Sequence, residues 1–141
     1  MAYDTSNLER FKEAQKNDYA CALSEIKRGR KTSHWMWYIF PQLAGLGRSS
    51  LADFYGIQGI EEAAAYLADP LLGHRLAEIS RVLTQLKTND AHSVFGSPDN
   101  LKLKSCMTLF SLVDGADPVF DAVIEKFFNG YKDNLTIKLL K

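Results

Sequence analysis

Three prolines, each preceded by a residue that can cap a helix, constrain the fold of this chain most strongly. The pairs are Asp69-Pro70, Ser97-Pro98 and Asp117-Pro118. Proline suits the first position of a helix, because the amide hydrogen that it lacks would have no partner there. The preceding side chain can accept a hydrogen bond from one of the free amides. Apolar residues then recur at helical spacing as far as Leu86, Leu112 and Phe128. We therefore predict helices that begin at 70, 98 and 118, the last ending at Asn129-Gly130.

Helical signals also cover most of the remaining chain. Ser6 and Glu9 have the spacing of a capping box, and an apolar stripe continues from there to Arg28. Gly29 can then supply a left-handed exit from the helix. For 33–40 we predict a short helix that begins at Ser33, because no second strand is available to pair with a strand there. Further helices are predicted over 50–55 and 59–68, and from Asp133 or Asn134 onward.

These signals predict an all-α fold. We expect one compact globular domain over residues 1–141, with about seven or eight short-to-medium helices and no substantial sheet. A chain of 141 residues is of the size that usually forms one core. Its 46% hydrophobic and 24% charged residues are typical of a folded protein, so we expect no long disordered segment.

The composition argues against several classes of protein. A formal net charge of +0 gives no strong nucleic-acid signal, since binding to phosphates favours a basic chain. No apolar run reaches the roughly 20 residues that span a bilayer, and the first residues do not resemble a signal peptide. We interpret Cys21 and Cys106 as two buried thiols in a reducing compartment, and therefore expect a cytoplasmic protein. The three histidines lack metal-site spacing, so we expect neither a metal nor another cofactor. We expect a monomer or a weak homo-oligomer.

The segment from Lys31 to Gln42 has the most unusual composition in the chain, with two tryptophans, a tyrosine and a phenylalanine after a basic and polar start. Met36 to Phe40 is typical of a helix buried on all sides. The residues before it could instead form an anion site, because free amides at a helix start lie beside cations there. A solvated basic turn is an equal alternative. His34 is the candidate for acid–base catalysis, although a structural histidine also fits.

Two further segments carry candidate ligand contacts. Gly45 to Ser50 is glycine-rich and contains Arg48, which together could hold a phosphate, although a plain turn is favoured. On the helix predicted after Pro98, helical spacing places Lys104, Ser105 and Thr108 on one face. Polar side chains on a largely apolar helix must be paired or must line a cavity.

The sequence resembles one bacterial family, the domain-of-unknown-function family eighteen-ten, whose members are often labelled calpastatin. The resemblance rests on HWMWYIFPQ, GLGRS, YLADPLLGHRL and FGSPDNLKLKSCMTLF in this order, and it extends from about Leu8 to Leu140. It implies a mainly helical single domain and no defined activity. A calpain-inhibitor role does not fit, since such inhibitors are long disordered repeats. The resemblance marks these motif positions without giving them roles: Lys31, Ser33, His34, Trp35, Trp37, Gln42, Gly47, Arg48, Lys102, Ser105 and Thr108.

Our leading hypothesis is a small-ligand site where residues 31–48 meet the helix at 99–110. The ligand would be an anionic small molecule, nucleotide-like or related to ADP-ribose. If the protein is an enzyme, hydrolase or glycosidase chemistry with His34 as the catalytic group is the class to test. The ligand-binding candidates are Lys31, Ser33, Trp35, Trp37, Gln42, Arg48, Lys102, Lys104, Ser105 and Thr108.

The alternative is a non-enzymatic protein-interaction module whose aromatic segment is structural core. It predicts that Trp35 is needed for folding, and that no cavity joins 31–48 to 99–110. The observation that separates the two hypotheses is whether His34, Arg48, Lys104 and Ser105 converge on one concave opening or scatter.

Overall fold

A computed structural model of the protein describes residues 5–141, with side chains from Asn7 onward. The predicted all-α class is confirmed: in this described part the regular structure is helical, and one isolated bridge, Leu43 to Ile57, joins two loops. None of the described helices is long and apolar enough to cross a membrane. A 3-10 turn at Thr5–Leu8 precedes ten α-helices: α1 (Glu9–Gln15), α2 (Tyr19–Lys27), α3 (Met36–Ile39), α4 (Ser50–Tyr55), α5 (Ile60–Ala68), α6 (Pro70–Gln85), α7 (Ala91–Phe95), α8 (Asp99–Ser111), α9 (Val119–Phe128) and α10 (Asn134–Leu140).

The three proline signals all mark helix starts, but they act differently. At α6, the Asp69 carboxylate accepts bonds from the amides of Leu71 and Leu72, with Pro70 as the first helical residue. At α9, Asp117 accepts a bond from the Val119 amide, and the helix begins after its proline. At α8 the predicted serine cap is absent: the residue that flanks the helix is Pro98, and it provides no side-chain cap.

The first predicted helix is two helices, which is one reason why ten are found instead of seven or eight. α1 ends at Gln15 and α2 begins at Tyr19, since Asn17 and Asp18 favour turns over a helix interior. The buried side-chain amide of Gln15, at the end of α1, donates to the Tyr38 carbonyl, 2.8 Å away. The predicted exit at Gly29 is confirmed by its φ of 79°. The capping box depends on Ser6, whose side chain lies outside the described ones.

Two further predictions about helices were wrong. The helix predicted from Ser33 begins only at Met36, because the backbone and side chain of Ser33 both bind Glu25. The short helix α7 was not predicted; the Asp90 carboxylate caps it by accepting a bond from the His92 amide. Short helices of this kind lack the length over which periodicity becomes visible.

The helix α8 lies at the centre of the molecule and carries the predicted polar face. It packs against α5, α7, α9 and α10, and every residue from Ser105 to Phe110 is buried. Aromatic rings connect it to its neighbours, with the Phe110 ring 5.2 Å from that of Tyr66 and 6.0 Å from that of Phe120. Polar groups on such a helix are therefore held in fixed positions.

The crossing of α5 and α6 leaves no room for a side chain at Gly73. A Cβ there would lie 2.1 Å from the backbone oxygen of Leu67 and 2.9 Å from its carbonyl carbon. We expect Gly73→Ala to destabilise the protein by about 3 kcal/mol, because the main chain must move to make room. Thermal unfolding measures this loss. His74→Ala, at an exposed position on the same helix, should change stability by less than about 0.5 kcal/mol. An unchanged melting temperature for Gly73→Ala would show that the two helices are not packed so closely.

Candidate functional site

The loop at 42–47, the first half of α8 and the start of α10 surround a cavity of about 320 Å³. Its polar lining is Gln42, Lys102, Ser105 and Asp133, and its remaining lining residues are Leu46, Gly47, Pro98, Leu101 and Leu135. Three of the predicted site residues are therefore brought together: Gln42, and the neighbouring Lys102 and Ser105 on α8. From the segment 31–48, only Gln42, Leu46 and Gly47 line this opening, and His34, Arg48 and Lys104 do not converge on it with Ser105.

Asp133 organises one side of the cavity. Its Oδ2 atom accepts hydrogen bonds from the hydroxyls of Ser105, at 2.9 Å, and Thr136, at 2.5 Å. Its backbone amide donates to the Thr108 hydroxyl oxygen, at 2.8 Å. The predicted polar face of α8 therefore holds the start of α10 in place. In the part of the chain that the structure describes, the Asp133 Oδ1 atom has no hydrogen-bond partner, so this oxygen can accept a bond from a ligand.

Lys102 is the cationic residue of the cavity lining. Its Nζ lies 3.7 Å from Oδ1 of Asp99 and 5.3 Å from the centre of the Trp37 ring. Asp99 also binds Lys31, whose Nζ is 2.9 Å from the Asp99 Oδ2. One carboxylate is thus shared between two ammonium groups, while the Asp133 carboxylate on the other side of the cavity balances the remaining positive charge.

An apolar slot adjoins the cavity. Gln42 and Lys102 line both spaces, and Trp37 lines the slot, which has room for about 10 Å³, close to the minimum for one water molecule. Gly47 makes this junction possible, since a Cβ there would lie 2.5 Å from the Ala52 Cβ and 3.3 Å from the Gln42 amide nitrogen. A side chain at position 47 would therefore crowd that of Gln42 between the two spaces.

Several predicted site residues do not line the cavity. His34 and Arg48 are exposed on loops, and Lys104 lies on another face of α8, with its Nζ 5.9 Å from the centre of the Phe128 ring. Trp35 is only 1% exposed and belongs to the core, so its ring is not available for stacking on a ligand. Thr108 is fully buried and acts through Asp133.

The predicted anion site at the start of the aromatic segment holds a carboxylate of the protein itself. Oε1 of Glu25 accepts bonds from the Thr32 amide, at 2.7 Å, the Ser33 amide, at 3.0 Å, and the Trp35 indole, at 3.0 Å. Glu25 is 1% exposed. Sequence reasoning missed it, although its position three residues after buried Ala22 places it on the apolar face of α2.

The pKa of Glu25 reflects its surroundings. Burial opposes ionisation, but hydrogen bonds from the Ser33 hydroxyl, the Thr32 amide, the Cys21 thiol and the Trp35 indole outweigh it. They lower the pKa of Glu25 well below its ordinary value. The Cys21 side chain was predicted to be buried; it is exposed, and its thiol donates to Glu25, which raises the pKa of that thiol.

Among the described residues, no group of three or more His, Cys, Asp or Glu side chains is arranged to hold a metal ion.

The fold and the cavity together define an all-helical globular protein with a small cavity lined by side chains of both charges. The chain belongs to the family described as "Protein of unknown function (DUF1810)", whose model matches residues 5–140. It is 45% identical to the conserved hypothetical protein Rv1873 from Mycobacterium tuberculosis, whose crystal structure superposes with a TM-score of 0.94. That match covers 97% of this chain and 98% of the other. No curated protein matches the sequence.

Proposed function

We propose that the cavity formed by loop 42–47, α8 and α10 binds an anionic small molecule. The observation that carries this proposal is the convergence of Gln42, Lys102 and Ser105 on one opening of about 320 Å³. These side chains come from two segments more than fifty residues apart. Gln42 and Lys102 offer hydrogen-bond donors, whereas the Ser105 hydroxyl donates its proton to Asp133 and offers an acceptor. Concave sites with a few convergent polar groups are where small ligands bind.

The charges around the cavity favour a ligand with an acidic group and hydroxyls. Lys102 supplies an ammonium group, which Asp99 neutralises only in part because it also binds Lys31. Asp133 presents the oxygen without a partner, which accepts bonds from hydroxyl donors and repels anions. A phosphorylated or ribosylated molecule can bind to both groups, with its phosphate at the Lys102 ammonium and its hydroxyls at the Asp133 carboxylate.

The proposed role is ligand binding, and His34 has no part in it. His34 is exposed and does not line the cavity, so it lies outside the reach that a general acid or base needs. The one proton of the Ser105 hydroxyl goes to Asp133, at 2.9 Å, with the Leu101 carbonyl as a more distant acceptor at 3.2 Å. Among the described residues, no histidine or lysine is hydrogen-bonded to this hydroxyl to activate it as a nucleophile. Turnover of a phosphorylated or ribosylated compound by the purified protein would be the finding that adds an enzymatic role.

Substituting Lys102 tests the proposal directly. Lys102→Met should weaken binding of ribose 5-phosphate about tenfold or more, because a charge-assisted hydrogen bond is lost. Lys104→Met is the matched control: it removes the same charge from the same helix, and its ammonium also lies over an aromatic ring. Isothermal titration calorimetry measures both affinities. Equal affinities for the two variants, or no binding by the wild-type protein, would contradict an anion site at Lys102.

A non-enzymatic interaction module is the second candidate, and burial of the aromatic segment favours it. Trp35, Met36, Ile39 and Phe40 are at most 2% exposed, as expected if this segment serves the core alone. This candidate predicts that none of the phosphorylated compounds raises the melting temperature, whereas a ligand at 100 times its dissociation constant stabilises by about 2.7 kcal/mol.

A further inference from the structure

Two exposed leucines stand at the mouth of the cavity. Leu101 on α8 keeps 59% of its surface exposed, and Leu135 on α10 keeps 52%. A single exposed leucine needs no explanation. Here, however, two of them line one polar cavity from different helices, together with Leu46 and Pro98 from two loops. The opening therefore has an apolar wall that no side chain of the described residues covers.

Polarity changes with depth in the cavity. Ser105 is 9% exposed, and the Lys102 side chain is 26% exposed. Leu101 and Leu135, at more than half exposed, lie furthest out. A ligand that matches this change in polarity has its charged group beside Lys102 and an apolar, flat group beside the more exposed Leu101 and Leu135.

We propose that Leu101 and Leu135 form a subsite for the base of a nucleoside monophosphate. This inference rests on the proposed function and narrows it from phosphorylated compounds in general. The phosphate binds Lys102, the ribose hydroxyls donate to Asp133, and the base packs between the two leucines, covering apolar surface that water otherwise contacts. About 320 Å³ is at the lower end of the range of about 300–1,000 Å³ for ligand pockets, which favours one nucleotide over a dinucleotide such as ADP-ribose.

The test compares AMP, ribose 5-phosphate and ADP-ribose by isothermal titration calorimetry. AMP should bind about tenfold more tightly than ribose 5-phosphate, because only AMP places a base against the leucines. Leu135→Ser should remove most of this difference and leave the affinity for ribose 5-phosphate unchanged. Leu139→Ser is the matched control, since Leu139 is 49% exposed on the same helix and does not line the cavity. This control should bind AMP as the wild type does.

The outcomes separate this inference from the proposed function. If AMP and ribose 5-phosphate bind equally and Lys102→Met weakens both, the anion site is supported and the base subsite is overturned. If ADP-ribose binds most tightly, the inferred ligand size is wrong. If no compound binds, both proposals fail. If Leu135→Ser changes the mass of the free protein in light scattering, the leucines contact a second copy, and the subsite is overturned.

Discussion

Replacing Trp35 with alanine should lower the free energy of unfolding by about 3–5 kcal/mol, the usual cost of deleting a buried aromatic ring. The ring is 1% exposed, and its centre lies 6.1 Å from that of Phe40. Its indole nitrogen donates to Glu25, and the ammonium of Lys31 lies 5.0 Å from the ring centre. Truncation leaves a cavity and removes one of the hydrogen bonds that stabilise the Glu25 carboxylate. Both effects lower the free energy of unfolding.

Trp37→Ala is the control within the same segment. Trp37 is only partly buried and faces the apolar slot, so its loss should cost about 1–2 kcal/mol, well below the cost at Trp35. Urea denaturation followed by circular dichroism measures both values, with the slope of the transition as a check that unfolding stays two-state. If the two variants lose equal stability, the two tryptophans are not divided between the core and the apolar slot.

The helices that could be predicted from the sequence are those with local signals. Asp69 and Pro70 bracket a helix start within two residues, and the stripe that follows is long enough for its period to be clear. The break after Gln15 was missed although Asn17 and Asp18, which favour a turn, lie just beyond it. Apolar spacing continues across this break, so the pattern resembles that of one long helix.

In the candidate site, local patterns identified some of the residues but not the partners that lie far away in the sequence. Ser105 and Thr108 could be identified because helical spacing put polar groups on a buried helix, which requires a partner or a cavity. Their partner, Asp133, could not, since it follows Ser105 by twenty-eight residues and was predicted only as a helix start. At Lys31 to Trp35 the amides were predicted to bind an anionic ligand, with a solvated turn as the alternative; in the structure the Thr32 and Ser33 amides bind the Glu25 carboxylate of the protein itself. The sequence did not show that Glu25 supplies this group.

Glu25→Leu should destabilise the protein by about 3–5 kcal/mol, a loss comparable to that of Trp35→Ala. The leucine fills similar space but leaves the Thr32 amide, the Ser33 amide and the Trp35 indole without their acceptor. Glu25→Gln is the matched variant. Its amide oxygen can still accept from these donors, while its nitrogen donates to the Ser33 hydroxyl, so we expect a loss of about 1–2 kcal/mol. Chemical denaturation at neutral pH measures both. If glutamine costs as much as leucine, the charge of Glu25 matters more than its hydrogen bonds.

The pH dependence of the free energy of unfolding measures how much the charge of the Glu25 carboxylate contributes to stability. The pKa of Glu25 is lower in the folded protein than its ordinary value of 4.5, so the folded state resists protonation at this carboxyl. Its stabilising contribution is therefore complete above pH 4.5 and is lost as the pH falls through the lower, folded-state pKa. Between about pH 6 and about pH 3 the free energy of unfolding should fall more steeply for the wild type than for Glu25→Gln. The Asp69 carboxyl also has a lowered pKa, because bonds from Lys12 and two helix amides outweigh its burial. It remains in both proteins and cancels in the comparison. Parallel stability curves for the two proteins would mean that Glu25 is not ionised at the centre of this network.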